Sequence, residues 1–67
     1  MNNKIHQTAI ISSKSIIGKN VFIGPYCIID DDVIIGDNTR IDAHTIIRSY
    51  TTVGQNCHIF SNCVIGE

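Results

Sequence analysis

Residues 17–36 read IGKNVFIGPYCIIDDDVIIG, and this stretch decides the fold. Ile17, Ile23, Ile29 and Ile35 recur every six residues. The same frame collects Ile5, Ile11, Ile41, Ile47, Val53, Ile59 and Ile65, with no insertion from residue 5 onward. A helix requires apolar residues about 3.6 apart, and a half-buried strand requires strict alternation. Neither produces a spacing of six, but a short strand followed by a corner does. A second series lies four residues after the first: Ala9, Ser15, Val21, Cys27, Val33, Thr39, Thr45, Thr51, Cys57 and Cys63. All are small or β-branched. Strand alternation turns Cys27 in, Ile28 out and Ile29 in. Asp30, Asp31 and Asp32 then turn a corner, and Val33, Ile34 and Ile35 make the next flat side. Gly or Asp often follows the inward Ile or Val, as at Gly18, Gly24, Asp30, Gly36, Asp42, Gly54 and Gly66. At corners these residues, and Asn, tolerate a positive φ.

The number of sides per coil is also legible. IGKN begins at Ile17, IGDN at Ile35 and VGQN at Val53, eighteen residues apart. Three hexads therefore close one coil, and like residues stack on like. The fold predicted is all-β: a triangular solenoid of parallel strands, a single segment over residues 1–67 with about three and a half coils. The repeat does not give its hand, although strand crossovers are right-handed as a general rule.

Stacking at eighteen assigns the outside. One face carries Ile10, Ile28, Ile46 and Val64; the next carries Ile16, Ile34 and Thr52; the third carries Phe22, Arg40 and His58. A continuous outward aliphatic column is a contact surface, because exposed apolar patches mark interaction sites. A homo-oligomer built on the aliphatic faces is expected, with the mixed third face the more exposed. An ice-binding solenoid would need an outward array of Thr, and the best-ordered outward column here is aliphatic.

Composition excludes several classes. Hydrophobic residues are 43% and charged residues 16% of 67, unlike a disordered acidic or basic tail. The net charge is −1, and Lys4, Lys14, Lys19, Arg40 and Arg48 are scattered, so nucleic-acid binding through phosphates is not expected. The opening MNNKIHQTAI lacks the apolar core and cleavage site of a signal peptide. Apolar runs are only a few residues long, as at Val33–Ile35, so no membrane span is expected and the location predicted is cytoplasmic. Three cysteines without Cys-x-x-Cys spacing suit reduced thiols.

Each chemical motif has a structural reading beside the functional one. Asp30, Asp31 and Asp32 could attract a cation, but consecutive corner residues do not converge as oxygen ligands must. Arg48 lies eighteen residues after Asp30, so a corner salt bridge between coils is expected. Cys27, Cys57 and Cys63 fall in the inward small-residue series and read as packing thiols. His6 and His44 fall at corners, and His58 at a face centre. No Ser, Cys or carboxylate is clearly placed to complete a nucleophilic arrangement with them. Of the three, His58 is the strongest candidate base, because it stacks with Arg40 and Phe22 and could line a cleft between subunits. Asn20, Asn38 and Asn56 form a corner ladder whose side-chain amides are expected to bond along the stack. No metal or other cofactor is expected.

The hexad pattern resembles the hexapeptide-repeat acyltransferases. Within that group, IHQTAI at 5–10, IGPYCII at 23–29 and IFSNCVIGE at 59–67 resemble the start of the acyl-[acyl-carrier-protein]–UDP-N-acetylglucosamine O-acyltransferase family. Gln7 stands where that family usually has Pro. The resemblance implies a left-handed parallel β-helix in a cytosolic homotrimer, with active sites between subunits. It implies transfer of a 3-hydroxyacyl group from acyl carrier protein to the 3-hydroxyl of UDP-N-acetylglucosamine, the first step of lipid A biosynthesis. A histidine on a later coil would act as general base. The positions of that histidine, of the nucleotide-binding residues and of the C-terminal helices all fall after residue 67 in the family. Neither His44 nor His58 matches the catalytic position, so no catalytic, substrate-binding or metal residue is assigned. The expectation is an N-terminal portion of such an enzyme, cut at its C-terminal end and inactive alone. The alternatives are a self-assembling structural module and the start of another hexapeptide sugar acyltransferase.

Overall fold

The computed structural model describes residues 3–66. It contains eleven two-residue strands, β1 (Lys4–Ile5), β2 (Ile10–Ile11), β3 (Ile16–Ile17), β4 (Phe22–Ile23), β5 (Ile28–Ile29), β6 (Ile34–Ile35), β7 (Arg40–Ile41), β8 (Ile46–Ile47), β9 (Thr52–Val53), β10 (His58–Ile59) and β11 (Val64–Ile65). They form three parallel sheets, β1-β4-β7-β10, β2-β5-β8-β11 and β3-β6-β9. Each of β1 to β8 pairs with the strand three further on, in the register predicted: Phe22 opposite Arg40, Ile28 opposite Ile46, Ile34 opposite Thr52. The chain is a three-sided parallel β-solenoid.

The six-residue frame becomes the core. Ile23, Ile29, Ile35, Ile41, Ile47 and Val53 are buried, together with Val21, Cys27 and Val33. Thr39 and Thr45 are buried in the second inward series. Their hydroxyls cost little there because each donates to a backbone carbonyl fifteen residues on, Thr39 to Gly54 at 2.7 Å and Thr45 to Phe60 at 3.1 Å. The Cys27 thiol makes the same contact with the Asp42 carbonyl at 2.9 Å. These small polar residues close the interior between coils as well as filling it.

The backbone ladder runs along the axis. Amides beside each strand donate to carbonyls of the next coil, as Ile28 N–H does to Thr45 at 2.9 Å and Gly36 N–H to Val53 at 2.8 Å. Corner amides donate the other way, Asn38 to Lys19 at 2.8 Å and Asn56 to Asp37 at 2.9 Å.

Three corner expectations are corrected. Positive φ does not fall on the Gly or Asp directly after the strand, apart from Gly66. From the third corner onward it falls two residues later, at Asn20, Tyr26, Asp32, Asn38, His44, Tyr50, Asn56 and Asn62. Gly18, Gly24 and Gly36 serve close packing instead: a Cβ on Gly36 would lie 2.7 Å from the Gln55 nitrogen, and one on Gly24 2.9 Å from the Ala43 nitrogen. Asn20, Asn38 and Asn56 do adopt the turn conformation, but among the described residues no amide ladder joins their side chains; the left-handed backbone aims the N–H along the axis, and it carries the bond. The Asp30–Arg48 bridge is not formed among the described residues. Arg48 is exposed, and an exposed pair gains little. The Asp31 carboxylate instead accepts a bond from the Ser12 hydroxyl one coil away.

Candidate functional site

The β1-β4-β7-β10 sheet is where side-chain chemistry gathers. Strand alternation turns Phe22, Arg40 and His58 outward, and parallel pairing stacks them. The Arg40 guanidinium lies over the Phe22 ring at 4.5 Å, a cation–π contact that leaves Phe22 only half exposed. The β3-β6-β9 sheet exposes all three of its outward residues, Ile16, Ile34 and Thr52.

Asp42 completes the cluster. It follows β7, so alternation returns its side chain to the side that Arg40 occupies. Arg40 Nε donates to Asp42 Oδ1 at 3.0 Å, and His58 Nε2 donates to Asp42 Oδ2 at 2.9 Å. A carboxylate can only accept, so the bond places the imidazole hydrogen on Nε2 and turns Nδ1 away from Asp42. The Phe60 ring tilts against His58 with centroids 4.3 Å apart. The Asp42 side chain is 22% exposed and that of His58 44%. The hydrogen bond from His58, and after it the one from Arg40, hold the Asp42 carboxyl below the ordinary aspartate range. The result is an oriented imidazole beside a carboxylate and a guanidinium, with an aromatic ring at each side. Such an arrangement can bind and relay a proton at the wet edge of a sheet.

The placement of this carboxylate against His58 is not among the sequence expectations. Comparing residues only at a spacing of eighteen hides it. Asp42 lies sixteen before His58, one coil less two residues, and that offset is the diagonal neighbour across a parallel pair. His6 and His44 remain apart from the cluster. His6 Nδ1 accepts the Thr8 N–H at 3.2 Å and lines a shallow cavity of about 190 Å³ with Lys4, Ile5, Phe22 and Pro25. His44 stacks on Tyr26 at a corner, with ring centroids 5.2 Å apart. The three cysteines are free thiols, Cys27 buried and Cys57 and Cys63 half buried. Among the described residues no three His, Cys, Asp or Glu side chains form a group that could hold a metal ion. None of the described residues belongs to a helix long and apolar enough to cross a membrane.

The aliphatic column stands as read. Ile10 and Val64 are 65% and 60% exposed at its ends, and Ile28 and Ile46 are half buried between them.

Two comparisons with known proteins bear on this fold. The bacterial transferase hexapeptide family (six repeats) matches residues 14–49 and 32–67. The chain is also similar to two curated proteins named acyl-[acyl-carrier-protein]–UDP-N-acetylglucosamine O-acyltransferase. One, from Thermodesulfovibrio yellowstonii, is 69% identical over 26 residues, which is 39% of this chain and 10% of that protein. The other, from Rickettsia canadensis, is 59% identical over 27 residues, 40% of this chain and 10% of that protein. The matched segment is thus about a tenth of the length of each relative.

Proposed function

The chain belongs to the bacterial transferase hexapeptide family, and we propose that it forms coils of an acyltransferase that loads a 3-hydroxyacyl group from acyl carrier protein onto UDP-N-acetylglucosamine, the opening step of lipid A biosynthesis. The observation that carries this reading is the 69% identity over 26 residues to a protein of that name, on a hexad frame with no break. In this reading the coils are scaffold. They bring aliphatic faces to a homotrimer in the cytoplasm, and the reacting groups belong to other coils of the enzyme. The 67-residue chain alone then carries out no transfer.

The test is a chimera. The matched segment of the Thermodesulfovibrio relative is replaced by that of this chain, and acyl transfer from acyl carrier protein thioester to UDP-N-acetylglucosamine is followed. Turnover near that of the parent is expected. A folded trimeric chimera without turnover would overturn the reading. The 67-residue chain is assayed alongside, and turnover there that His58→Ala abolishes would refute a purely scaffolding role.

A second reading has its own observation. The Ile10–Val64 column favours a self-assembling structural module, since unpartnered aliphatic stripes call for a cover. A chain that assembles and supports no chimera activity would favour that reading.

A further inference from the structure

We propose that Asp42 is a charge clasp between coils, through which protonation of His58 tightens the attachment of β10 and β11 to β7 and β8. The inference is independent of the enzymatic reading.

Asp42 touches three successive coils. Its carbonyl receives the Cys27 thiol, its N–H donates to the Ile59 carbonyl at 2.9 Å, and its carboxylate holds Arg40 and His58. The β10 strand pairs with β7 alone among the described strands. The charged or titratable groups facing His58 from that neighbour are therefore Arg40 and Asp42; Lys4 lies at the far edge of the sheet. Arg40 and His58 stand directly opposite each other in register. Two cations so placed repel. The carboxylate between them decides the sign. With Asp42 ionised, a protonated His58 forms an ion pair at 2.9 Å, while the Arg40 charge is already shared with Asp42 and the Phe22 ring. Attraction at contact then outweighs the repulsion. Without Asp42 the repulsion stands alone.

Four amides report the joint. Arg40, Asp42, Ile46 and Arg48 donate to Cys57, Ile59, Cys63 and Ile65 of the following coil. Phe22, Gly24 and Ile28 donate to Thr39, Ile41 and Thr45 and serve as internal controls. Hydrogen exchange of the full chain, corrected for intrinsic rates, is compared at about pH 8 and about pH 5.5. The four reporter amides are expected to gain about two- to fivefold in protection at the lower pH, with the controls unchanged. In Asp42→Asn the response reverses, and protection falls. In His58→Gln it vanishes. The double variant Arg40→Gln/Asp42→Asn leaves His58 unopposed and flat with pH, and the control amides certify that each variant is folded. An unchanged reporter-to-control ratio in the natural chain would overturn the proposal, as would the same rise in Asp42→Asn.

Discussion

Gly36 has no room for a methyl group. A Cβ there would sit 2.7 Å from the Gln55 nitrogen, in the backbone of the next coil. Gly36→Ala is expected to cost about 1–3 kcal/mol, the range for overpacking a closed site. Gly54 belongs to the same column, yet the nearest atom to its added Cβ is Cys57 Sγ at 3.8 Å. Gly54→Ala should stabilise the 67-residue chain by about 0.4–1 kcal/mol, through a less flexible unfolded state. Urea midpoints of the two variants check the opposite signs. The glycine column was legible in the sequence, but its reason was not: spacing alone cannot separate a need for positive φ from a need for close approach. The turn conformation falls on Asn20, Asn38 and Asn56, whose side chains suit it, and also on Tyr26 and Tyr50, whose side chains do not advertise it. Tyr50 has a φ of 64° and is 83% exposed. Tyr50→Asn should therefore gain about 0.5–1 kcal/mol in urea unfolding by relieving left-handed strain.

A strand of two residues cannot hold itself. From β1 to β8 each donates to carbonyls of the next coil, and at Thr39 and Thr45 an inward hydroxyl reaches such a carbonyl as well. Thr39→Val keeps the volume of the buried side chain and removes the bond to the Gly54 carbonyl; a loss of about 1 kcal/mol is expected in thermal or urea unfolding. The Asp42 contacts add a pH dependence of defined sign. Its carboxyl ionises below the ordinary aspartate value when the chain is folded. The stabilisation is thus whole above that ordinary value and is lost as the pH falls through the lowered one. Asp42→Asn should flatten part of the acid limb, read as the difference between urea midpoints of variant and natural chain from about pH 5 down to about pH 2. Strand positions, register and inward residues were legible, because six and eighteen recur without interruption from Ile5 to Ile65, although Ile5 itself, at the end of the stack, is 43% exposed. The Asp42–His58 pair was not, because it joins an outward strand residue to a corner residue of the coil before. A column reading treats those as separate lists. The Asp30–Arg48 expectation failed for the complementary reason: sharing a column brings backbones together but does not fix where a long exposed side chain ends.

At the scale of the molecule, the outward aliphatics call for a partner. Ile28 and Ile46 lie half buried between Ile10 and Val64, and Ile16 and Ile34 add a second exposed run. A melting midpoint that rises with protein concentration is expected, together with sedimentation as an oligomer. Ile46→Lys, at the centre of the column, should abolish both and leave the buried core untouched. The three-sided shape was legible from IGKN, IGDN and VGQN alone. The same regularity has a consequence for how such a chain can be rewritten. All inward positions are nearly interchangeable, so the interior is indifferent to which side of the triangle a hexad occupies. The surface is not. Six residues inserted after Gln55 would supply one more strand and carry His58 a third of a turn around the axis, from above Arg40 to above Ile46. The core would remain closed while the imidazole lost its carboxylate. Eighteen inserted residues would return His58 to its original side. Length, counted in sixes, is thus an address for surface chemistry, and whole hexads are the steps by which that address can change.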